Sequence, residues 1–142
     1  MRLFLDANVI FTAAHNPGGR SSALFELAGH DWCRLSTSPH AFAEAERNLR
    51  LKYPAAAGRL GELLRQMTIE GEAGPLDIEW AREQGLPLKD APVLAAAAAC
   101  RADVLVTGDR AHFGRLLGRR VRGLIVLTPA DALARVISLP HG

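Results

Sequence analysis

The sequence predicts an α/β protein in which a mainly parallel β-sheet is covered by helices on both faces. Short apolar runs typical of buried strands alternate along the chain with longer segments typical of helices. Acidic residues stand at or just after the ends of two of these runs, at Asp6 and Asp109. Open α/β proteins bind their ligands at the carboxyl ends of parallel strands. The same pattern therefore predicts both the fold and the place of a functional site.

Length and composition indicate one domain, 1–142, with an ordered core over about residues 2–137. Hydrophobic residues make up 49% of the chain and charged residues 23%, as in ordinary globular proteins. No apolar run approaches the ~20 residues that span a bilayer, and no signal peptide precedes the first strand. We therefore expect a cytoplasmic protein without membrane contact, in which Cys33 and Cys100 are reduced packing residues.

The first half of the chain is predicted to form three strands separated by helices. The strands are expected at residues 2–6, 32–36 and 68–69, and the helices at 8–14, 21–28, 39–52 and 55–66. The turn-forming residues 16–19 separate the first two helices. Ser21 or Ser22 is expected to cap the second helix, and Ser38 the third, with Pro39 at its first position.

The second half is predicted to continue the alternation. Helices are expected at residues 78–84, 90–101 and 111–117, and strands at 104–107 and 124–127. The helix at 90–101 is the clearest, because alanine is the strongest helix former. A last helix follows Thr128 as its cap, with Pro129 first and Asp131 third. The tail at 138–142 is expected to be frayed.

Three aspartates occupy equivalent ends of predicted elements: Asp6, Asp90 and Asp109. Taken alone, Asp6 is equally compatible with a helix N-cap, and Asp90 more so because Pro92 follows in the first turn, while Gly108 allows a tight turn before Asp109. Their recurrence, with a glutamate-bearing helix between them, instead favours a cluster at one edge of the sheet. Clustered carboxylates repel by about 4 kcal/mol per pair at ~4 Å and an effective dielectric of ~20. Such a cluster needs a cation, and oxygen ligands indicate Mg²⁺ or Mn²⁺.

Basic residues follow two of the acidic positions along the chain. One run lies at 47–52, after the glutamates, and the other at 110–122, after Asp109. Cations that flank an acidic cluster suit a polyanion bound at a metal, whereas either run alone is typical of a solvated surface. Arg47, Arg110 and Arg115 are the candidate substrate-binding residues.

Four short motifs, in order, resemble those of the PIN-domain ribonucleases. They lie at residues 5–10 (Leu-Asp-Ala-Asn-Val-Ile), 38–49, 89–97 and 102–109. The resemblance extends over residues 2–136 and is greatest to the VapC-like toxins of VapBC-like toxin–antitoxin pairs. It implies a three-layer α/β/α sandwich and an Mg²⁺-dependent endoribonuclease, with Mn²⁺ as a substitute, whose products are a 5′-phosphate and a 3′-hydroxyl. It also implies an RNA substrate, a cognate antitoxin and a homodimer.

The resemblance also implies roles for individual residues of this chain. The catalytic acids would be Asp6, Glu44, Asp90 and Asp109, of which Asp6, Asp90 and Asp109 would bind the metal. The supporting polar residues would be Asn8, Ser38 and Thr107. Glu46 follows Glu44 by roughly 200° around a helix, so both cannot face one site. Glu44 is preferred because its spacing to Arg47 and Leu49 fits the motif.

The chain departs from the family pattern just after the fourth motif. Many relatives carry a further acid or asparagine there, whereas residues 110–113 read Arg-Ala-His-Phe. This predicts one firm Mg²⁺ site with a weaker second. It leaves open a PIN-like RNA- or protein-binding module with weak or lost catalysis. His112 is expected to have a plain surface or packing role, and Asp103 to be a turn or cap residue at the opposite sheet edge.

A phosphatase-type hydrolase with Asp6 as its nucleophile is a further alternative. Such enzymes usually need a second acid two residues later, and Asn8 stands at that position. The sequence therefore disfavours this reading.

Overall fold

The computed structural model describes residues 1–140, which form a central β-sheet and surrounding helices. The strands are β1 (Arg2–Leu5), β2 (Arg34–Thr37), β3 (Met67–Ile69), β4 (Val104–Val106), β5 (Arg120–Val121) and β6 (Leu124–Leu127). The helices are α1 (Ala7–His15), α2 (Arg20–Gly29), α3 (Pro39–Lys52), α4 (Leu60–Leu64), α5 (Pro75–Glu83), α6 (Ala91–Ala99), α7 (Arg110–Phe113) and α8 (Pro129–Ser138), with a 3₁₀ helix at Pro54–Arg59. In this part of the chain, no helix is long and apolar enough to cross a membrane.

The sheet has the strand order β3-β2-β1-β4-β6-β5, and all pairings are parallel except the one between β5 and β6. The predicted α/β fold with a mainly parallel sheet is confirmed. From β1 the chain first builds outward through β2 and β3, then returns to pair β4 with the other side of β1. The carboxyl ends of β1 and β4 therefore flank the point where the strand order reverses, which is where such sheets bind ligands.

The core explains why the central strands are continuous apolar runs. Leu3, Phe4 and Leu5 of β1 are fully buried, and so are Leu105 and Val106 of β4. Since successive side chains point to opposite faces, burial of every residue requires helices on both faces. Helix α1 packs against α2 and α3, and α5 packs against α6.

Several helix boundaries differ from the sequence prediction. The expected helix at 55–66 is instead a 3₁₀ helix followed by the short α4, because Gly58 and Gly61 weaken an α-helix there. The expected helix at 111–117 ends at Phe113, and Leu117 then bridges to Val126 of the sheet. Helix α8 continues to Ser138, and the rest of the predicted frayed tail lies partly outside the described residues.

The cap predicted for the second helix is wrong. Helix α2 begins one residue earlier, after Gly19, and Gly19 offers no side chain to cap it. Ser21 and Ser22 therefore lie inside the first turn. The caps predicted at Ser38 and Thr128 are confirmed, because their side chains accept from the amides of Ala41 and Asp131.

Strand β5 was not anticipated, and its turn explains why. Arg122 and Gly123, between β5 and β6, both have positive φ angles of 46° and 82°, as hairpin turns with matching twist require. A left-handed arginine is uncommon. Here its guanidinium lies 3.9 Å from the Trp80 ring centroid and 2.9 Å from Asp77, and these contacts hold the hairpin against α5.

Leu94→Ala in α6 should lower the free energy of unfolding by about 2–5 kcal/mol, because Leu94 is fully buried and truncation leaves a cavity. Urea denaturation followed by circular dichroism measures the change. Leu76→Ala is the matched control, because Leu76 is 82% exposed and its truncation should cost under about 0.5 kcal/mol. Equal losses in the two variants would contradict the placement of α6 in the core.

Candidate active site

Asp6 lies at the carboxyl end of β1, where its carboxylate receives three hydrogen bonds. Its Oδ1 accepts from the amide of Ala7 at 2.8 Å, so Asp6 also caps α1. Its Oδ2 accepts from Thr107 Oγ1 at 2.7 Å and from Asn8 Nδ2 at 3.0 Å. Burial raises the pKa of Asp6 to about 6 despite these donors, and the nearby charges of Asp90 and Glu44 contribute further. The cap and the functional position thus coincide in one residue.

Asn8 and Thr107 join the end of β1 to the end of β4. Asn8 Oδ1 accepts from the amide of Gly108 at 2.7 Å, and Thr107 Oγ1 accepts from the amide of Asp109 at 3.1 Å. A Cβ at Gly108 would lie only 3.2 Å from Asn8 Oδ1, so glycine permits this close approach. The network fixes Asp6 and the Asp109 backbone relative to each other.

Asp90 precedes α6 but does not act as its cap. Its side chain makes no capping hydrogen bond. The residue is buried, and its Oδ2 has no hydrogen-bond partner among the described residues. Burial raises the pKa of Asp90, while the charges of Lys89 and His112 oppose that shift. A buried carboxylate oxygen without a donor indicates that a cation belongs beside it.

His112 lies between two of the acids, so the expectation of a plain surface or packing role is wrong. Its Nδ1 is 2.8 Å from Asp109 Oδ2, in hydrogen-bond geometry. The same nitrogen lies 2.9 Å from Asp90 Oδ2, at ion-pair distance but without that geometry. The Asp109–His112 spacing could have indicated this contact, because an N-cap faces the residue three positions later.

Asp109 is shaped by its contacts with His112. Besides the ring contact, Asp109 Oδ1 accepts from the amide of His112 at 3.0 Å and caps α7. Burial alone would raise the pKa of Asp109, but the backbone and ring hydrogen bonds from His112 hold it below its usual value. Asp109 is therefore the carboxylate that stays ionised most readily.

Asp90, Asp109 and His112 together fit a divalent cation. One ligand atom from each lies within 4.8 Å of the other two. The two carboxylate oxygens suit Mg²⁺ or Mn²⁺, whereas an imidazole nitrogen favours transition-metal ions over Mg²⁺. Among the described residues Asp6 is not part of this group, and its oxygens accept hydrogen bonds from Ala7, Thr107 and Asn8.

A cleft of about 440 Å³ contains the predicted acids. Asp6, Glu44, Asp90 and Asp109 all line it, as does Asn8. Glu46, by contrast, points to Arg50 at 3.5 Å, as the helix geometry requires. Asp103 lies at the other end of the sheet from Asp109, where its Oδ2 accepts from the amide of Arg2 at 2.8 Å and so joins the starts of β4 and β1.

Other predicted site residues lie elsewhere. Ser38 is fully buried, caps α3 and does not line the cleft. Arg47 and Arg115 are exposed and also lie outside the lining, while Arg110 borders a neighbouring depression. The cations that line the cleft are Lys52, which belongs to the basic run predicted at 47–52, and Lys89, which the sequence prediction did not include. Lys89 had a signal, because it directly precedes Asp90.

Fold and site together define a parallel α/β protein with a carboxylate-lined cleft at the carboxyl edge of its sheet. The sequence model of the PIN domain matches residues 2–111, well over half of the chain. This chain belongs to the PIN domain family. No protein of curated function matches its sequence significantly.

Solved structures with the same fold include three from different organisms. PAE2754 from Pyrobaculum aerophilum has a TM-score of 0.69 at 19% identity, over 98% of this chain and 97% of that one. VapBC2 from Rickettsia felis, bound to a DNA fragment from their promoter, has a TM-score of 0.67 at 20% identity, over 90% of this chain and 98% of that one. VapC20 from Mycobacterium tuberculosis, a Sarcin-Ricin loop cleaving toxin, has a TM-score of 0.56 at 17% identity, over 77% of this chain and 91% of that one.

Asp6→Asn should stabilise the metal-free protein at pH 7.5. In the unfolded chain Asp6 ionises near 3.8, and in the folded protein near 6. Ionisation above pH 6 therefore costs the folded state roughly 3 kcal/mol, which is recovered as the pH falls towards 4. Asparagine removes the charge and keeps an acceptor for the Ala7 amide, but its Nδ2 cannot accept the hydrogen bonds that Thr107 and Asn8 donate to Oδ2. We therefore expect a net gain well below about 3 kcal/mol at pH 7.5 and a weaker pH dependence.

Urea denaturation in a chelating buffer between pH 4.5 and 7.5 measures this difference. Asp103→Asn is the matched control, because Asp103 also accepts a backbone hydrogen bond but lies outside the cleft. If the Asp6 variant keeps the same pH dependence as the parent protein between pH 4.5 and 7.5, ionisation of Asp6 does not cost the folded state free energy.

Proposed function

We propose that this protein is an Mg²⁺-dependent endoribonuclease that hydrolyses RNA phosphodiester bonds, with Mn²⁺ as a substitute, and is the toxin of a type II toxin–antitoxin pair. One observation carries the proposal. Four carboxylates converge in one cleft, and the buried Oδ2 of Asp90 has no hydrogen-bond partner among residues 1–140, with only His112 Nδ1 at ion-pair distance. A cation bound with a phosphodiester would offset the negative charge that one histidine and Lys89 offset only in part.

Asp90 and Asp109, with His112, would hold the proposed cation, and Asp6 would lie beside it in the same cleft. A divalent cation there would supply charge neutralisation, polarisation of a phosphoryl oxygen and a lower pKa of bound water. Thr107 and Asn8 keep the Asp6 carboxylate in place through their hydrogen bonds to Oδ2. Glu44 lines the cleft from α3 and would orient the attacking water by accepting its hydrogen bond.

The rim of the cleft suits an RNA strand. Lys52 and Lys89 line it and supply positive charge for the phosphates. Phe11 also lines it and belongs to an aromatic group in which His15 and Tyr53 stack with ring centroids 4.4 Å apart. Bases stack on such surfaces without sequence preference, so backbone and base contacts are both available.

The toxin role extends the resemblance to the VapC-like branch. The M. tuberculosis structure of the same fold is of a Sarcin-Ricin loop cleaving toxin, and the R. felis one is of a VapBC complex on DNA. For this chain we propose a cytoplasmic, single-domain protein that forms a homodimer. Its cognate antitoxin would cover the cleft, and an arginine is the side chain best suited to pair bidentately with these carboxylates.

Purified protein should cleave RNA in the presence of Mg²⁺ or Mn²⁺, and Asp6→Asn or Asp90→Asn should lower the rate at least ~100-fold, because even outer partners of metal ligands cost 10–100-fold. Gel analysis of a labelled RNA measures cleavage and the ends produced. Asp103→Asn, outside the cleft, should retain full activity. Full activity in both site variants would eliminate the assignment.

The alternative, an RNA- or protein-binding module with weak or lost catalysis, rests on the missing acid after Asp109. His112 stands near that place and contacts both carboxylates. Calorimetric titration separates the two readings: a protein that binds no Mn²⁺ at millimolar concentration and cleaves no RNA would be the binding module.

His112→Gln should weaken Mn²⁺ binding by about 10–100-fold and remove nitrogen coupling from the electron paramagnetic resonance signal of bound Mn²⁺, because the imidazole is the proposed nitrogen ligand. His30→Gln is the control, since His30 is exposed at the end of α2, away from the cleft. If nitrogen coupling and affinity persist in His112→Gln, His112 orients Asp109 without touching the ion.

A further inference from the structure

A second depression, of about 470 Å³, adjoins the acidic cleft beside the start of α2. The two share the lining residues Thr12, Ser21, Gly108 and Pro129. The described residues that line the second depression include no acid, but they include Arg20 and Arg110. The surface therefore changes from acidic to basic over a short, continuous path.

Both arginines are available for a ligand. Arg20 and Arg110 are exposed, and neither forms an ion pair within residues 1–140. A guanidinium group binds phosphate or carboxylate in a planar, two-pronged geometry. Two such groups beside one depression favour an anion there.

The start of α2 adds uncapped backbone donors to the same place. The helix has ten residues, Gly19 provides no side-chain cap, and the first turn contains no acid. The first N–H groups of a helix have no partner within it, and its dipole favours negative charge at this end. Helix starts of this kind bind phosphate groups.

Ser21 gives the independent indication of a ligand. The residue is only 3% exposed and lines both depressions. Its hydroxyl has no hydrogen-bond partner among the described residues, whereas the neighbouring Ser22 Oγ donates to Ala13 O at 2.9 Å and lies 2.8 Å from Asn16 O. Ser21 Oγ is not among the fully buried atoms that lack a partner, so the small exposed part of this residue opens on the depression and leaves the hydroxyl free to donate to a ligand bound there.

We propose that this depression binds the phosphate of an RNA nucleotide that flanks the one being cleaved. Arg20 and Arg110 neutralise its charge, while the Ser21 hydroxyl and the first amides of α2 donate hydrogen bonds to its oxygens. The inference rests on the proposed function, which places the scissile phosphate in the adjoining acidic cleft. An RNA strand fits better than an acidic protein segment, because it presents phosphates in succession along a path whose other part is lined by Lys52 and Lys89.

The test measures binding of a labelled single-stranded RNA by fluorescence anisotropy in the presence of Mn²⁺. Every protein compared, including the parent protein, carries Asp6→Asn so that the bound RNA is not cleaved. Arg20→Gln and Ser21→Ala should each weaken binding about threefold to tenfold. Arg20→Gln should also lower the slope of log K against log salt by about 0.7, the value for one phosphate contact on a single strand. Mn²⁺ affinity should not change.

Arg119→Gln is the matched control, because Arg119 is exposed and lines neither depression. It removes the same charge and should leave affinity within about twofold. RNAs with one uncharged methylphosphonate at successive positions then locate the contact. One position should weaken binding to the parent protein but not to the Arg20→Gln variant.

The possible failures are distinguishable. If RNA binds but Arg20→Gln and Ser21→Ala behave like Arg119→Gln, the subsite is overturned and the nuclease proposal stands. If no RNA binds to the parent protein, the proposed RNA function is wrong, and the subsite that rests on it is wrong as well. If a polyglutamate peptide binds instead, and Arg20→Gln abolishes that binding, the ligand is an acidic protein segment and the RNA assignment is wrong.

Discussion

The parallel pairing of β1 with β4 is the constraint on which the rest of the site depends. Its register sets Leu5 opposite Val106, so the chain leaves both strands at the same level and Thr107 can donate to Asp6 at 2.7 Å. A slip of one residue would turn every side chain of the strand to the other face. Because both strands are buried throughout, such a slip would disrupt the core, and packing therefore enforces the geometry of the carboxylates.

The fold stabilises the negative charges of the three aspartates in the cleft to different degrees. Asp6 receives three donors and still has a raised pKa, Asp90 has an oxygen with none, and Asp109 is relieved by His112. For the proposed cation these differences would give distinct roles: Asp109 would be ionised and ready to bind it, while Asp6 and Asp90 would be stabilised most by its charge. An ion that binds only the folded state adds to its stability, so the proposal implies that metal binding would also stabilise the fold.

The fold and the acidic positions could be predicted because they depend on local patterns. Asp6 and Asp109 follow apolar runs, and the alanines after Asp90 specify a helix. Contacts set by two distant elements could not be predicted in the same way. His112 meets Asp90 only because α7 and the start of α6 lie side by side, and Arg122 accepts a left-handed conformation only because Trp80 and Asp77 lie beneath it.

The sequence also did not predict which exposed side chains point towards the cleft. Arg47 and Arg115 looked suitable by charge, but a helix directs each side chain by its angle around the axis, and the lining cations proved to be Lys52 and Lys89. Ser38 has the expected position in the chain, but its side chain caps α3 and does not face the cleft. The predicted Glu44 was more secure, since only one of two glutamates spaced by two residues can face the same way.

The alanines of α6 extend the functional footprint of the sequence beyond the cleft. Ala95, Ala96 and Ala97 are fully buried, and their small side chains let the helix approach β4 and α5 closely. Asp90 sits at the start of this helix, so the packing distance of three methyl groups sets where its carboxylate lies. A genetic selection for inactive variants would accordingly recover bulky replacements at these alanines, although none of them touches a ligand.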